Sequence, residues 1–205
     1  MNIGILALQG AFAAHQRVFV DLGASVTLIR TPPDLAEVDG IVLPGGESTT
    51  MSMLLDSSGL RPPLTQRVEF GVPVFGTCAG LIMLASEIAD GRSDQHALCL
   101  LAASVRRNGY GRQINSFETR LSISDGSRAC EMNGVFIRAP RVESVSANVE
   151  VLAAVNGDPV LLRERNVLAA TFHPELGDNS CVHEIFLEMV ADFRSENQSL
   201  KKVGS

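Results

Sequence analysis

No stretch of this 205-residue chain is apolar for long enough to span a bilayer, which takes about 20 consecutive residues. The N-terminal run over residues 3–8 lacks a basic lead and is too short for a secretory signal. Basic residues are few and scattered: 17 Lys and Arg face 23 Asp and Glu, the net charge is −6, and no Lys/Arg cluster exceeds a pair. That argues against a nucleic-acid surface, which needs clustered cations. The four cysteines, Cys78, Cys99, Cys130 and Cys181, include no C-x-x-C pair. Zinc sites and disulfide frameworks show tighter spacing, so the pattern argues against both, and Cys99, Cys130 and Cys181 read as small buried hydrophobes. Internal repeats and low-complexity segments are also missing. These absences point to a cytoplasmic protein that calls for no metal and no cofactor.

What is present is ordinary globular composition, 45% hydrophobic and 20% charged, in a length that suits one domain over 1–194 with a polar, frayed tail over 195–205. The first half alternates strand and helix. Residues 2–8 are a near-continuous apolar run, as in a parallel strand covered on both faces. Phe12, His15, Phe19 and Leu22 follow at helical spacing, with Gly23 as a stop. Further strands are expected at 25–30, 40–43 and 73–75, and helices from about Ser48, over 64–70 and over 79–88. This rhythm implies an open, mostly parallel α/β sheet with right-handed crossovers, whose ligand sits beyond the C-terminal strand ends. Gln9 and Gly10, residues 45–47 and Cys78 all fall at such ends. The second half adds short strands at 117–124, 135–137, 149–155, 159–163 and 167–172. In the first of these Phe117, Thr119, Leu121 and Ile123 share a face, and Asn156-Gly157-Asp158 reads as a hairpin turn. A closing amphipathic helix is expected over 181–193.

The chemistry concentrates in two short motifs. Gly76-Thr77-Cys78-Ala79-Gly80 lies between an apolar strand and a helical pattern, which is the strand–turn–helix setting of a nucleophile elbow with sulfur in place of oxygen. Small neighbours let the backbone turn sharply and let a substrate approach. A thiol attacks as thiolate, and a helix N-terminus with a nearby imidazole favours that form. His173 is the best of the four histidines for this role. Pro174 biases it toward extended backbone, so Glu175, two residues on, can accept a hydrogen bond from its ring. The backbone N–H of Ala79 and that of Gly46 are candidate oxyanion donors. His15, on a face with Phe12 and Phe19, reads as packed; His96 and His183 receive no role.

The two motifs together resemble the triad, or class I, glutamine amidotransferases. Leu6-Ala7-Leu8-Gln9-Gly10, Leu43-Pro44-Gly45-Gly46-Glu47-Ser48-Thr49-Thr50, Gly111-Arg112-Gln113 leading to Ser116-Phe117-Glu118, and Phe136-Ile137-Arg138-Ala139-Pro140 narrow the likeness to the glutaminase subunits of pyridoxal 5′-phosphate synthase. Gly109-Tyr110 and Asn115 depart from the usual residues of that family. The resemblance implies a flavodoxin-like glutaminase fold and hydrolysis of L-glutamine to glutamate and ammonia through a thioester on Cys78. It also implies glutamine contacts at Gly46, Glu47, Ser48, Arg107, Ile137 and Arg138. Gln9 and Gly10 would lie near the site and the interface with a separate (β/α)8-barrel synthase subunit, in a complex of twelve barrels and twelve glutaminases. Related elbow-cysteine proteins, such as intracellular peptidases or stress-response proteins of similar fold, are the alternative; they lack the His-Pro-Glu arrangement and the 43–50 signature. Anthranilate-type glutaminases carry Cys-Leu-Gly at the elbow, where this chain has Cys78-Ala79-Gly80.

Overall fold

The computed structural model describes residues 1–109, 116–126 and 128–203, the side chains of 200–203 excepted. The Gly111-Arg112-Gln113 motif and the departures at Tyr110 and Asn115 lie outside the described residues. The first half runs β1 (Asn2–Leu6), α1 (Phe12–Asp21), β2 (Ser25–Ile29), β3 (Gly40–Leu43), α2 (Ser48–Ser57), α3 (Arg61–Glu69), β4 (Val74–Thr77) and α4 (Ala79–Leu84). The second half runs β5 (Ala85–Ile88), β6 (Leu101–Arg106), β7 (Ser116–Ser124), β8 (Ala129–Ile137), β9 (Arg141–Val145), β10 (Glu150–Val155), β11 (Asp158–Glu164), β12 (Val167–Ala170) and α5 (Cys181–Val203).

Seven strands form the main sheet in the order β10-β11-β12-β4-β3-β1-β2. The five from β12 to β2 are parallel, and β11 and β10 continue the sheet antiparallel. The strand period of two divides each buried strand between two cores. Leu6, Leu43 and Val74 pack with α2, α3, α4 and the small β5-β6-β9 sheet. Ile3, Ile5, Val42 and Phe75 pack with Phe19 of α1, Phe186 of α5 and the β7–β8 hairpin. This is the α/β fold with added antiparallel strands that the alternating pattern implies. In the hairpin, Phe117, Thr119, Leu121 and Ile123 do share the covered face, and Asn156 and Gly157, with φ of 52° and 88°, make the tight β10–β11 turn.

Several expectations are corrected. The helix expected over 79–88 stops at Leu84, and 85–88 become β5, which pairs with β6. The segment from Ala79 to Ala85 is buried throughout, so it carries neither a helical nor a strand period, and the pairing with β6 decides. Strands β6 and β9 were not anticipated. Helix α3 starts at Arg61 rather than Leu64, since Pro62 and Pro63 sit in its first turn, where their missing N–H costs nothing. The expected frayed tail continues α5 to Val203, where Ser195, Asn197 and Ser199 bond back to carbonyls one turn earlier.

The reading of Cys130 and Cys181 as unlinked hydrophobes is also overturned: they form a disulfide, with Cα atoms 6.7 Å apart across a sequence separation of 51. The hairpin packs on the start of α5, a tertiary contact that sequence spacing does not reveal. Among the described residues, no helix is long and apolar enough to cross a membrane.

The disulfide makes a direct prediction. Thiol titration of the denatured protein, purified without reductant, should count two thiols, Cys78 and Cys99. Four before reduction would show the pair to be open.

Candidate active site

Cys78 sits between β4 and α4 with φ 49° and ψ −101°. A non-glycine residue held there stores about 1–3 kcal/mol of strain, which the surrounding structure must impose. Here β12 holds it, because the Cys78 N–H donates to Ala170 O at 2.8 Å. The sharp turn brings α4 close to β3, and a Cβ at Gly80 would collide with the Leu43 carbonyl. The strand-to-helix elbow read from Gly76-Thr77-Cys78-Ala79-Gly80 is therefore present.

His173 follows β12 and enters a short 3-10 turn at Pro174 and Glu175. Its Nδ1 lies 2.8 Å from Glu175 Oε1, and its ring lines the same cleft as the Cys78 thiol. Both His173 and Glu175 are buried. Burial pushes the imidazole down, but Cys78 and Glu175 beside it outweigh this and raise His173 to about 10. Burial pushes the Glu175 carboxyl up, while the neighbouring histidines and the bond from His173 bring it below its usual value. The carboxylate beside the imidazole thus favours its charged form.

The cleft beside Cys78 has a volume of about 400 Å³ and is walled by Gly46, Glu47, Ser48, Arg107, Ile137 and Arg138, among others. Every glutamine-contact residue named from the sequence therefore reaches one cavity. The Ile137 carbonyl faces the Cys78 sulfur at 3.9 Å, and Arg138, with φ 45°, turns the chain away at the rim. Arg107 Nη1 is held by Thr49 Oγ1 at 3.0 Å and Gln95 Oε1 at 3.1 Å. Its Nε has no hydrogen-bond partner among the described residues but lies 3.8 Å from Asp90 Oδ1.

Glu47 differs from expectation in one respect. Its side chain caps α2, accepting from Thr49 N at 3.0 Å and from Thr50 N and Oγ1 at 2.6 and 2.7 Å. Desolvation raises its carboxyl, but these bonds together outweigh it and bring it down to about 2. Its charge is fixed at the cleft edge rather than free to swing.

Of the oxyanion candidates, Gly46 lies on the cleft wall. Ala79 is buried in the first turn of α4, where backbone N–H groups have no helical partner. Gly45 next to Gly46 backs directly onto the His173 ring, leaving no room for a side chain. Gln9 pins this loop, accepting from Glu47 N at 3.2 Å and donating to Glu47 O at 3.4 Å, and Gly10 lines the cleft.

Sequence reasoning missed Asn108, Ile82 and Leu176 on the cleft wall. It also missed Gln95, which holds Arg107 from a segment without a recognisable motif. His15 is packed, as expected, yet its ring nitrogens face polar groups, one of them Glu175. A helical face shared with two phenylalanines concealed this.

Comparison with known proteins agrees with the geometry. The SNO glutamine amidotransferase family matches residues 5–192. The pyridoxal 5′-phosphate synthase subunit PdxT of Corynebacterium jeikeium is 48% identical, over 93% of this chain and 97% of its own. That of Mycobacteroides abscessus is 50% identical, over 92% of this chain and 96% of its own. A crystal structure of a glutamine amidotransferase superposes with a TM-score of 0.86 at 42% identity, covering 92% of this chain and 98% of that one. PurLQS of Thermotoga maritima, with a TM-score of 0.67 at 12% identity and coverage of 94% of this chain and 98% of that one, shares the fold alone.

The His173 shift carries a pH signature. Its folded value, about 10, lies above the ordinary 6.5. The associated stability is fully present below pH 6.5 and is lost as pH rises toward 10. Glu175→Gln removes a charge that raises His173, so the variant should lose less stability than the parent between about pH 6.5 and 10. Denaturant unfolding at both ends of that window checks it. Equal losses in parent and variant would show that Glu175 does not set the His173 charge.

Proposed function

The chain belongs to the SNO glutamine amidotransferase family, and from that membership we propose that it hydrolyses L-glutamine to L-glutamate and ammonia. The ammonia passes to a separate synthase subunit for pyridoxal 5′-phosphate formation. The observation that carries the chemistry is the Glu175–His173 hydrogen bond, with His173 and Cys78 facing one cleft at the end of the sheet. The names and near-full coverage of the PdxT relatives support the pathway.

In this reading the Cys78 thiolate attacks the side-chain amide carbon of glutamine. The negative charge on the amide oxygen falls on the backbone N–H groups of Gly46 and Ala79, which are worth about a hundred- to a thousand-fold in rate each. The His173 imidazolium gives its Nε2 proton to the departing nitrogen, and ammonia leaves a γ-glutamyl thioester. Neutral His173 then takes a proton from water as the oxygen attacks the thioester. Collapse expels the Cys78 thiolate, releases glutamate and restores the imidazolium. Glu175 holds the His173 tautomer throughout.

Arg107 and Arg138 supply positive charge for the substrate α-carboxylate. Glu47, Ser48 and the Ile137 carbonyl supply acceptors for its α-ammonium. Ammonia escapes readily into water, which is the physical reason to couple hydrolysis to a docked acceptor site. The partner is a (β/α)8-barrel synthase subunit in a complex of twelve of each chain, with Gln9 and Gly10 near the contact, in the cytoplasm. The peptidase-like alternative is not favoured, since no relative described above is of that kind.

Ammonia release from L-glutamine should rise sharply when the barrel subunit from the same organism is added. Cys78→Ala should lower the glutamine-dependent rate by more than about 10⁴-fold, while ammonium salt still supports synthesis by the complex. Glutamine-dependent synthesis surviving in that variant would remove Cys78 as nucleophile.

A further inference from the structure

Behind the triad, side chains from three distant elements meet on Glu175. His15 of α1 and His183 of α5 are both fully buried. His15 Nδ1 lies 3.0 Å from His183 Nε2. On its other edge, His15 Nε2 lies 3.1 Å from Thr77 Oγ1 and 3.3 Å from Glu175 Oε2. That oxygen is the one His173 does not use, since His173 Nδ1 takes Oε1. We propose that His15 is a positioning residue of the glutaminase reaction: backed by His183, its ring fixes the Glu175 carboxylate, and through it His173, relative to the strand that carries Cys78.

Proton donation can run through these atoms in one direction. With His183 Nε2–H donating to His15 Nδ1, the His15 proton lies on Nε2 and faces Thr77 and Glu175. His183 Nδ1, buried without a hydrogen-bond partner among the described residues, is then the unprotonated nitrogen. The reverse direction would bury an N–H there with no acceptor and aim a His15 lone pair at the carboxylate. An unmet buried donor and a lone pair against an anion are both unfavourable.

Protonating either ring would set a cation against the other imidazole inside a wall of Phe19 and Phe75. Burial accordingly holds both His15 and His183 below the usual histidine value. The titratable groups facing this pair are Glu175 and His173 from the turn after β12, with Cys78 beyond Thr77 on β4.

The well-aligned bond from His15 goes to Thr77 Oγ1, and Glu175 Oε2 lies beside that N–H with no aligned donor of its own. His15 therefore does not neutralise Glu175. It presents a fixed polar edge to both arms of the site at once: the residue before the nucleophile and the carboxylate behind the base.

The proposal rests on the glutaminase reading for the reaction it serves, so its test has arms that do not need glutamine. In the parent protein, ¹⁵N NMR of the histidine rings should find His15 and His183 as neutral Nε2–H tautomers from about pH 5.5 to 8.5. An imidazolium or an Nδ1–H form for His15 would overturn the proposal, whether or not any variant folds.

In the assembled complex, His15→Phe should lower kcat by about 10- to 100-fold with KM changed less than about two-fold. His15→Gln, whose amide N–H reaches the same two oxygens, should recover most of the loss. A folded His15→Phe with parental kcat would overturn the assignment, as would a loss that His15→Gln does not repair. If the parent complex releases no ammonia, the glutaminase reading fails, and alkylation of Cys78 by iodoacetamide still decides on His15. The acid limb of that rate should move to higher pH by about half a unit or more in His15→Phe. A limb unchanged in the folded variant would leave His15 a packing residue only.

Discussion

The parallel ladder between β4 and β12 is what the rest of the site depends on. Its register pairs Val167 with Val74 and Ala170 with Thr77, and the next hydrogen bond, Cys78 N–H to Ala170 O, catches the nucleophile as it leaves the sheet. Because the strands run the same way, His173 emerges at the same end only three residues after Ala170. A slip of one residue would turn every side chain to the opposite face. The apolar residues of both strands, Phe75 and Leu168 toward one core and Val74 and Ala169 toward the other, make such a slip expensive. Hydrophobic burial on both faces thus holds the thiol and the imidazole at one cleft, in a placement that the polar groups could not enforce themselves.

The same logic explains the electrostatics. The buried carboxylate, Glu175, is tolerated because His173 is its direct partner and the tilted edge of His15 lies beside its second oxygen. By contrast Glu47, exposed at the cleft edge, is held by the N-terminal amides of α2. Two acids of one site are placed by different means, a buried ring and a helix terminus. Arg107 stands between these extremes, gripped by Thr49 and Gln95 while it lines the cleft. Side chains so placed lose little freedom when a small polar ligand arrives, which lowers the entropic cost of binding.

Much of this was legible in the residues. The elbow was readable because an apolar strand, a flanked thiol and a helical pattern follow one another within a few positions, and local steric demands leave few other solutions. The His173–Glu175 contact was anticipated, but through an extended segment; Pro174 instead starts a 3-10 turn, and that turn brings the carboxylate to the ring. Asn156-Gly157 was readable because few residue pairs accept two consecutive positive φ values. The failures share a cause as well. β5 was lost because the segment leading into it, from Ala79 to Ala85, is buried throughout and carries no period; among the described residues, β6 and β9 pair with each other and β6 with β5. The Cys130–Cys181 bond and the polar use of His15 arise from contacts between elements 51 and more residues apart. Propensity and spacing report on a chain's neighbours in sequence, and those contacts are between neighbours in space.

Strand β8 joins two of these features. Cys130, bonded to Cys181 at the start of α5, lies near one end. Ile137, whose carbonyl faces the Cys78 sulfur, is at the other. Seven strand residues span about 24 Å, so a hairpin held by its covalent tie alone would act as a stiff lever. A tilt of about five degrees at the pivot would swing the far tip by about 2 Å over that span, as much as separates a formed contact from a broken one. The His173 N–H, donating to Val135 O at 2.8 Å, restrains that swing, so Ile137 and Arg138 are set against a ligand by the base's own backbone as well as by the bond at the far end.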